Sequence, residues 1–307
     1  APAQAGAEVA LAYNGKNVVN GGTLTLNVGA VINGGLTAAA EQPLLTCLPT
    51  GAAFAKQDTD PAELIDGSVN TTAENLVVVA HPAHDFTDGT GKCPCGYVCD
   101  HGGKNGDDVY TSVSLDTGVC TVCQKQVYEA YQVGSDVIPW ETLKDAVRYA
   151  YNTVYLYCDN DLNLNSVDWN GGHANLDLNG HNLTTPFAVQ LAHTLEVQDT
   201  STGDAGSLTL TSVESGGSLE INGGTVKSVD QYNQMVSVSG TVRLNRGTLT
   251  FAKVESGGSL TASGGEMYAL VKDVTEDSSV HLTGGHYDTI ELWNATDDTA
   301  LQAFRYM

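Results

Sequence analysis

The chain is poor in positive charge. Its 307 residues carry 13 Lys and Arg against 36 Asp and Glu, a formal net charge of −23. Such a field repels phosphate backbones and anionic headgroups, which excludes nucleic acid and membrane surfaces as partners. Its plainest consequence is solubility, and a monomer is expected. Arginine occurs only at Arg148, Arg243, Arg246 and Arg305, leaving few cations to serve an acid–base site. No apolar run reaches the length of a transmembrane helix. Residues 1–10 lack the basic start and apolar core of a leader and read as a mature N-terminus or the edge of a longer protein. The chain stops at Met307 without a tail, as a slice of something longer would. Charged residues are only 16%, so the surface must rely on Asn, Thr, Ser and Gly. Hydrophobic residues at 41% exclude a disordered polymer. Proline is modest at 8 and glycine plentiful at 34, a balance that suits an all-β protein with many tight turns.

The dominant positive signal is a repeat between Val154 and Ile290. Apolar pairs flanking one residue recur as Leu176-Asp177-Leu178, Leu195-Glu196-Val197, Leu219-Glu220-Ile221, Val242-Arg243-Leu244, Leu260-Thr261-Ala262 and Val280-His281-Leu282. Their starts are 19, 24, 23, 18 and 20 residues apart. A period near 20 with strand-like alternation predicts a solenoid whose coils stack their apolar residues inward. Leu208-Thr209-Leu210 falls between two of these pairs and reads as a second strand of its coil. Val213-Glu214-Ser215-Gly216-Gly217-Ser218-Leu219 recurs as Val254-Glu255-Ser256-Gly257-Gly258-Ser259-Leu260, an offset of 41 residues or about two coils. The glycine pairs supply the backbone freedom of a corner. Asn160, Asn163, Asn165, Asn175 and Asn179 are candidates for ladders of stacked amides. The architecture expected is a parallel β-helix, right-handed by general preference.

Three segments follow. Residues 1–80 contain short β-like runs and two Asn-Gly-Gly turns, at 20–22 and 33–35; residues 41–72 read as loop. The similarity of Asn20-Gly21-Gly22-Thr23-Leu24 to Asn222-Gly223-Gly224-Thr225-Val226 makes this segment the end of a preceding β-helix. Residues 81–127 hold three His, five of the seven Cys and seven Gly, a module without a core of its own. Residues 128–307 open with a helix predicted at 140–151, where Trp140, Leu143, Ala146, Val147 and Ala150 share one face after Pro139. It would cap the first coil and cover its exposed edge.

The strongest chemical signal is Cys99-Asp100-His101 followed, after eighteen residues, by Cys120-Thr121-Val122-Cys123. Two close pairs of soft ligands joined by a glycine-rich loop suit one tetrahedral, structural zinc. A second set, His81, His84, Cys93 and Cys95, has a less favourable spacing. Disulfides are the alternative for both, because the expected compartment is extracellular. Cys47 and Cys158 sit beside apolar residues and read as buried free thiols, with a disulfide between them as the alternative.

For the solenoid faces, Tyr155 and Tyr157 alternate onto one side of the first rung and could stack on sugar rings, as could Trp293 near the last coil. Equally, the tyrosines could pack the capping helix. Asp177 and Glu196 are placed level in successive coils, within one strand spacing, with His181 nearby; they offer a carboxylate pair or a calcium site. Asp159 and Asp161 form another candidate pair. No order of Asp, His and basic residues matches a glycosidase, so catalysis is not expected. Asp199, at a rung's end, reads as a turn cap.

The run Cys93-Pro94-Cys95-Gly96-Tyr97-Val98-Cys99-Asp100-His101 with Cys120 and Cys123 resembles Cys/His modules of large secreted or cell-surface repeat proteins of Gram-positive bacteria. Leu176-Asp177-Leu178-Asn179-Gly180-His181-Asn182-Leu183 with Leu195 to Asp199 resembles the opening β-helix coils of the same proteins. The resemblance implies a scaffold or adhesin facing a glycan or a host-surface protein. Alternatives are a carbohydrate-active β-helix enzyme, either lyase or glycoside hydrolase, and a phage spike or tail protein.

Overall fold

The computed structural model describes residues 8–9, 16–19, 25–32, 35–38, 48–57, 63–66, 75–81, 86, 90–163, 167, 169–184, 188–190, 192–203, 205–229, 235–273 and 277–293. The chain divides into two compact units, Ala1–Ser114 with Val119–Lys125, and Leu115–Gly118 with Gln126–Met307.

The second unit is a β-solenoid of about six coils, and among the described residues the protein is all-β apart from one α-helix. Successive coils pair in parallel along three columns of strands. The first column runs through His173–Asp177, Thr194–Gln198, Ser218–Ser228, Thr241–Val254, Ser259–Ala262 and Ser279–Leu282. Its register stacks Leu195, Leu219, Val242, Leu260 and Val280 in one line, and Leu176, Val197, Ile221, Leu244 and Ala262 in another. All but Val280 are wholly buried. Each buried Leu, Val or Ile among them contributes about 1.5–3 kcal/mol by leaving water, so the lines of aliphatics hold the coils together. A second column runs through Leu183, Leu208, Val226, Leu249 and Met267. A third runs through Val189, Val213, Val238 and Val254.

The repeated glycine pair has a steric reason. Gly216 and Gly257 lie at φ 79° and 76°, where a side chain is disfavoured. A Cβ on Gly217 would come within 2.3 Å of the Val189 carbonyl, and one on Gly258 within 2.1 Å of the Val238 carbonyl. The first glycine makes the corner; the second lets neighbouring coils approach. Val213 is level with Val238 and Val238 with Val254, so the 41-residue offset is two coils.

Three sequence expectations need correction. The helix is shorter than 140–151, spanning Leu143–Tyr149. Trp140 and Pro139 belong instead to the strand Val137–Trp140, which forms an antiparallel hairpin with Ala130–Val133 across Gly134-Ser135-Asp136. The helix starts where Thr142 caps it, its side chain accepting from Asp145 N at 3.1 Å. Leu143, Ala146 and Val147 are buried in the solenoid's core, so the helix does cover the first coil. Ala130–Val133 also pairs antiparallel with Val154–Leu156, sharing the protection of that edge. The second correction is the amide ladder, which runs through Asn222, Asn245 and Ser263. Asn245 Nδ2 donates to Asn222 Oδ1 at 2.9 Å and Ser263 Oγ to Asn245 Oδ1 at 3.1 Å. Of the expected asparagines, Asn179 does bridge coils, donating to Leu156 O at 3.0 Å; Asn165 lies outside the described residues.

The third correction falls in the first unit. Ala52–Lys56, inside the stretch read as loop, is a strand paired antiparallel with Leu76–Ala80. Its alanines have little intrinsic strand preference; burial of Phe54 against Leu26, Ile32, Leu76 and Val78 supplies the reason for it. Glu8–Val9 pairs in parallel with Val31–Ile32, and Lys16–Val19 with Gly35–Ala38.

Candidate metal centre and solenoid faces

One ligand atom from each of Cys99, His101, Cys120 and Cys123 lies within 4.8 Å of the others. Cys99 Sγ is 3.9 Å from Cys120 Sγ, and Cys123 Sγ is 3.6 Å from His101 Nδ1. Tetrahedral ligands at zinc–sulfur distance are about 3.8 Å apart. A disulfide needs about 2.05 Å, and the cysteines at 93, 95, 99, 120, 123 and 158 are all free thiols. The spacing therefore fits a metal's ligand shell and not a cross-link.

Local turns create this convergence. His101, Gly102 and Gly103 all have positive φ, at 56°, 83° and 70°, which curls the chain back after Cys99. His101 N reaches Cys99 Sγ at 3.4 Å. Cys120 N donates to Lys125 O and Gln124 N to Cys120 O, each at 2.9 Å, closing the second turn. Ser112 N donates to His101 O and Thr121 N to Ser112 O, each again at 2.9 Å, tying the two turns together. Burial pushes the Cys99 thiol up to about 12, against the His101 N–H that favours its anion. At Cys120 burial also works against charge, but hydrogen bonds from the Cys123 and Val122 N–H groups outweigh it and hold the thiol below its ordinary value. A cation bound to these sulfurs would stabilise them as thiolates.

The second set converges as well. His81, Cys93 and Cys95 offer ligand atoms within 4.8 Å of one another, and His81 Nε2 lies 3.2 Å from Cys93 Sγ. Gly96 N donates to Cys93 O and Cys93 N to Tyr97 O, each at 2.8 Å, a tight turn that brings the closely spaced cysteines together. Burial raises the Cys95 thiol to about 11. His84 lies outside the described residues, as does Cys47. Cys158 is a half-buried free thiol that burial pushes up, with Glu129 and Asp159 adding to the effect.

On the solenoid, Asp177 and Glu196 are not level. The first pair of full coils is offset by 21 residues, not 19, so Glu196 pairs with Asn175 and Asp177 with Gln198. Asp177 is wholly buried. It accepts from Asn179 N at 2.9 Å, Thr200 N at 3.1 Å and Gln198 Nε2 at 3.0 Å, which makes it a turn clamp. Asp199 does the same one coil later, accepting from Gly180 N at 3.0 Å, Ser201 N at 2.9 Å and the buried Gly206 N. Burial opposes the Asp199 charge, yet the Ser201, Gly206 and Gly180 donors hold the carboxyl below its ordinary value. Glu196 faces outward, accepting from Asn222 Nδ2 at 2.8 Å and lying 4.0 Å from His173 Nε2.

His181 faces Asp159 at 3.7 Å rather than Asp177. Asp159 also accepts from Asn182 N at 2.8 Å and Asn182 Nδ2 at 3.2 Å, which together with His181 hold it below the usual carboxylate range. Asp161 is exposed.

Tyr155 and Tyr157 share a face, as alternation predicts, but their partner is the hairpin and not the helix. Tyr131 stacks on Tyr155 with centroids 4.9 Å apart and lies 4.4 Å from Tyr157. Tyr157 is buried, donates to Leu115 O, and is pushed up chiefly by burial. Tyr155 is half-buried and borders a cleft. Trp293 is exposed, with Lys253 Nζ 5.3 Å from its ring centroid. Sequence reasoning missed Tyr131, although its place in an alternating run before Gly134-Ser135-Asp136 was a hairpin signal. Among the described residues no helix is long and apolar enough to cross a membrane. In comparison with known proteins, no protein-family model, curated protein or solved structure matches the chain.

Proposed function

We propose that the chain is a non-catalytic extracellular scaffold of adhesin type, whose Cys/His module is folded by structural zinc and whose solenoid presents a glycan-recognising surface. The solenoid interior carries this reading. It is filled by lines of wholly buried aliphatics such as Leu195, Leu219, Val242 and Leu260, so the fold offers rigid outer faces to a partner. Each candidate carboxylate pair has one member engaged elsewhere: Asp177 clamps a turn and Asp159 is held by Asn182. The Cys/His run and opening coils resemble secreted repeat proteins of Gram-positive bacteria, which supports the extracellular placement, as does the net charge of −23.

Cys99, His101, Cys120 and Cys123 would hold one zinc in a closed set of four, which leaves no position for a reacting water. His81, Cys93 and Cys95 would contribute to a second. In such a module zinc supplies the folding energy that a small core cannot.

The test incubates the purified chain with neutral and acidic polysaccharides and follows reducing ends and unsaturated products. A scaffold leaves the polymers unchanged. Product release that tracks the protein through purification would overturn the reading. A glycan array, with and without chelator, then asks for recognition.

A further inference from the structure

A cleft of about 560 Å³ opens on the solenoid beside its first coils, between the helix's end and the strands Val154–Leu156 and His173–Asp177. It is large enough for about two or three sugar rings. Tyr151 stands at its edge and is 87% exposed, so its ring face is open to a ligand and can stack on a sugar ring. Tyr155 forms part of the wall, its ring held in place by the stack on Tyr131. Thus one aromatic ring is packed into the wall and the other stands in solvent at the rim.

The polar groups complete the argument. Asn175 lines the cleft, yet its Oδ1 is shut off from water and accepts no hydrogen bond. A buried acceptor without a donor costs about 1–3 kcal/mol. Turning the half-buried amide into the cleft would let it accept from a ligand hydroxyl. His173 lines the same wall, and Glu196 beyond it is level with Asn175 in the next coil. The carboxylate and the chain's overall charge disfavour anionic ligands. Apolar ring faces with many hydroxyl donors satisfy an exposed tyrosine and an unpaired amide oxygen together.

From this geometry we infer that the cleft is a binding site for a neutral oligosaccharide, with Tyr151 stacking on a sugar ring and Asn175 accepting from a ring hydroxyl. The inference rests on the glycan-recognising reading above and gives it a location.

The test titrates the full chain with neutral trisaccharides of glucose, galactose and N-acetylglucosamine, followed by ligand-observed NMR. The expected result is saturable binding that Tyr151→Ala weakens about tenfold or more and that Asn175→Ala also weakens. Tyr268→Ala removes an exposed aromatic elsewhere on the solenoid and should leave binding unchanged. Tyr151 is exposed, so its replacement leaves the fold intact, and circular dichroism verifies this. Failure of every neutral trisaccharide to bind, or equal binding by Tyr151→Ala, would overturn the site. Preference for sulfated or uronic oligosaccharides would overturn the ligand class. Mass spectrometry of the recovered sugar separates this from the scaffold reading: a shortened sugar contradicts the non-catalytic function, whereas an unbound, intact one contradicts only the site.

Discussion

Replacing Asp199 with alanine removes the acceptor for three backbone N–H groups at once. Oδ1 serves Gly180 and Ser201, and Oδ2 serves Gly206. A hydrogen bond to a charged group contributes about 1.5–3 kcal/mol. Gly180 and Ser201 are half-buried and can recover water, whereas Gly206 is buried. The loss is therefore dominated by Gly206 and totals about 3–5 kcal/mol. Asp199→Asn keeps one acceptor and places an N–H₂ against a donor, so its cost is smaller, about 1–2 kcal/mol. The carboxyl also sets an acid limb. Its folded value lies below the ordinary 3.8, so its contribution is complete above 3.8 and is lost as pH falls through the lower folded value. Asp199→Asn should flatten that limb. Coils contact only their neighbours, so unfolding can be local; urea titration by circular dichroism should be joined to hydrogen exchange at Gly206. A cost under about 1 kcal/mol for alanine, with an unchanged acid limb for asparagine, would refute the clamp.

Other consequences concern packing and the metal. Leu219→Asp buries a charge in the line from Leu195 to Val242 and should unfold the adjoining coils, read as lost amide protection; a neutral effect would contradict the register. Gly217→Ala forces a Cβ against the Val189 carbonyl and should cost about 1–3 kcal/mol in urea unfolding. Thr142→Ala removes the helix cap and should cost about 1 kcal/mol, visible as faster exchange over Leu143–Tyr149. Chelation should expose residues 90–125 to exchange and to thiol alkylation while solenoid protection persists, because the solenoid's core uses no metal ligand.

The solenoid was legible because its signal is repeated: one misplaced rung leaves the others intact. Leu219, Ile221 and Leu260 are core as alternation requires. The slip came at the first full coil, where Leu176-Asp177-Leu178 looks like Leu195-Glu196-Val197. Register there follows backbone pairing, and Leu178 already belongs to the turn that Asp177 clamps. That slip turned a buried clamp into an apparent partner for Glu196. Strand Ala52–Lys56 was hidden because alanine carries little strand preference, and only the distant Leu76–Ala80 makes it a strand. The hairpin at Ala130–Trp140 was masked by helical spacing that starts by chance at Trp140. For the candidate metal centre, ligand types and spacing suffice to name Cys99, His101, Cys120 and Cys123 as a converging group. The cleft at Asn175 could not be read from sequence, since it depends on three segments meeting.

The most direct test of the account measures the metal content of the purified chain by inductively coupled plasma mass spectrometry, alongside a count of reactive thiols. The account predicts bound zinc, thiols protected until chelator is added, and loss of one zinc equivalent in Cys120→Ser. A metal-free chain that stays folded over residues 90–125, with its cysteines oxidised in pairs, would contradict it.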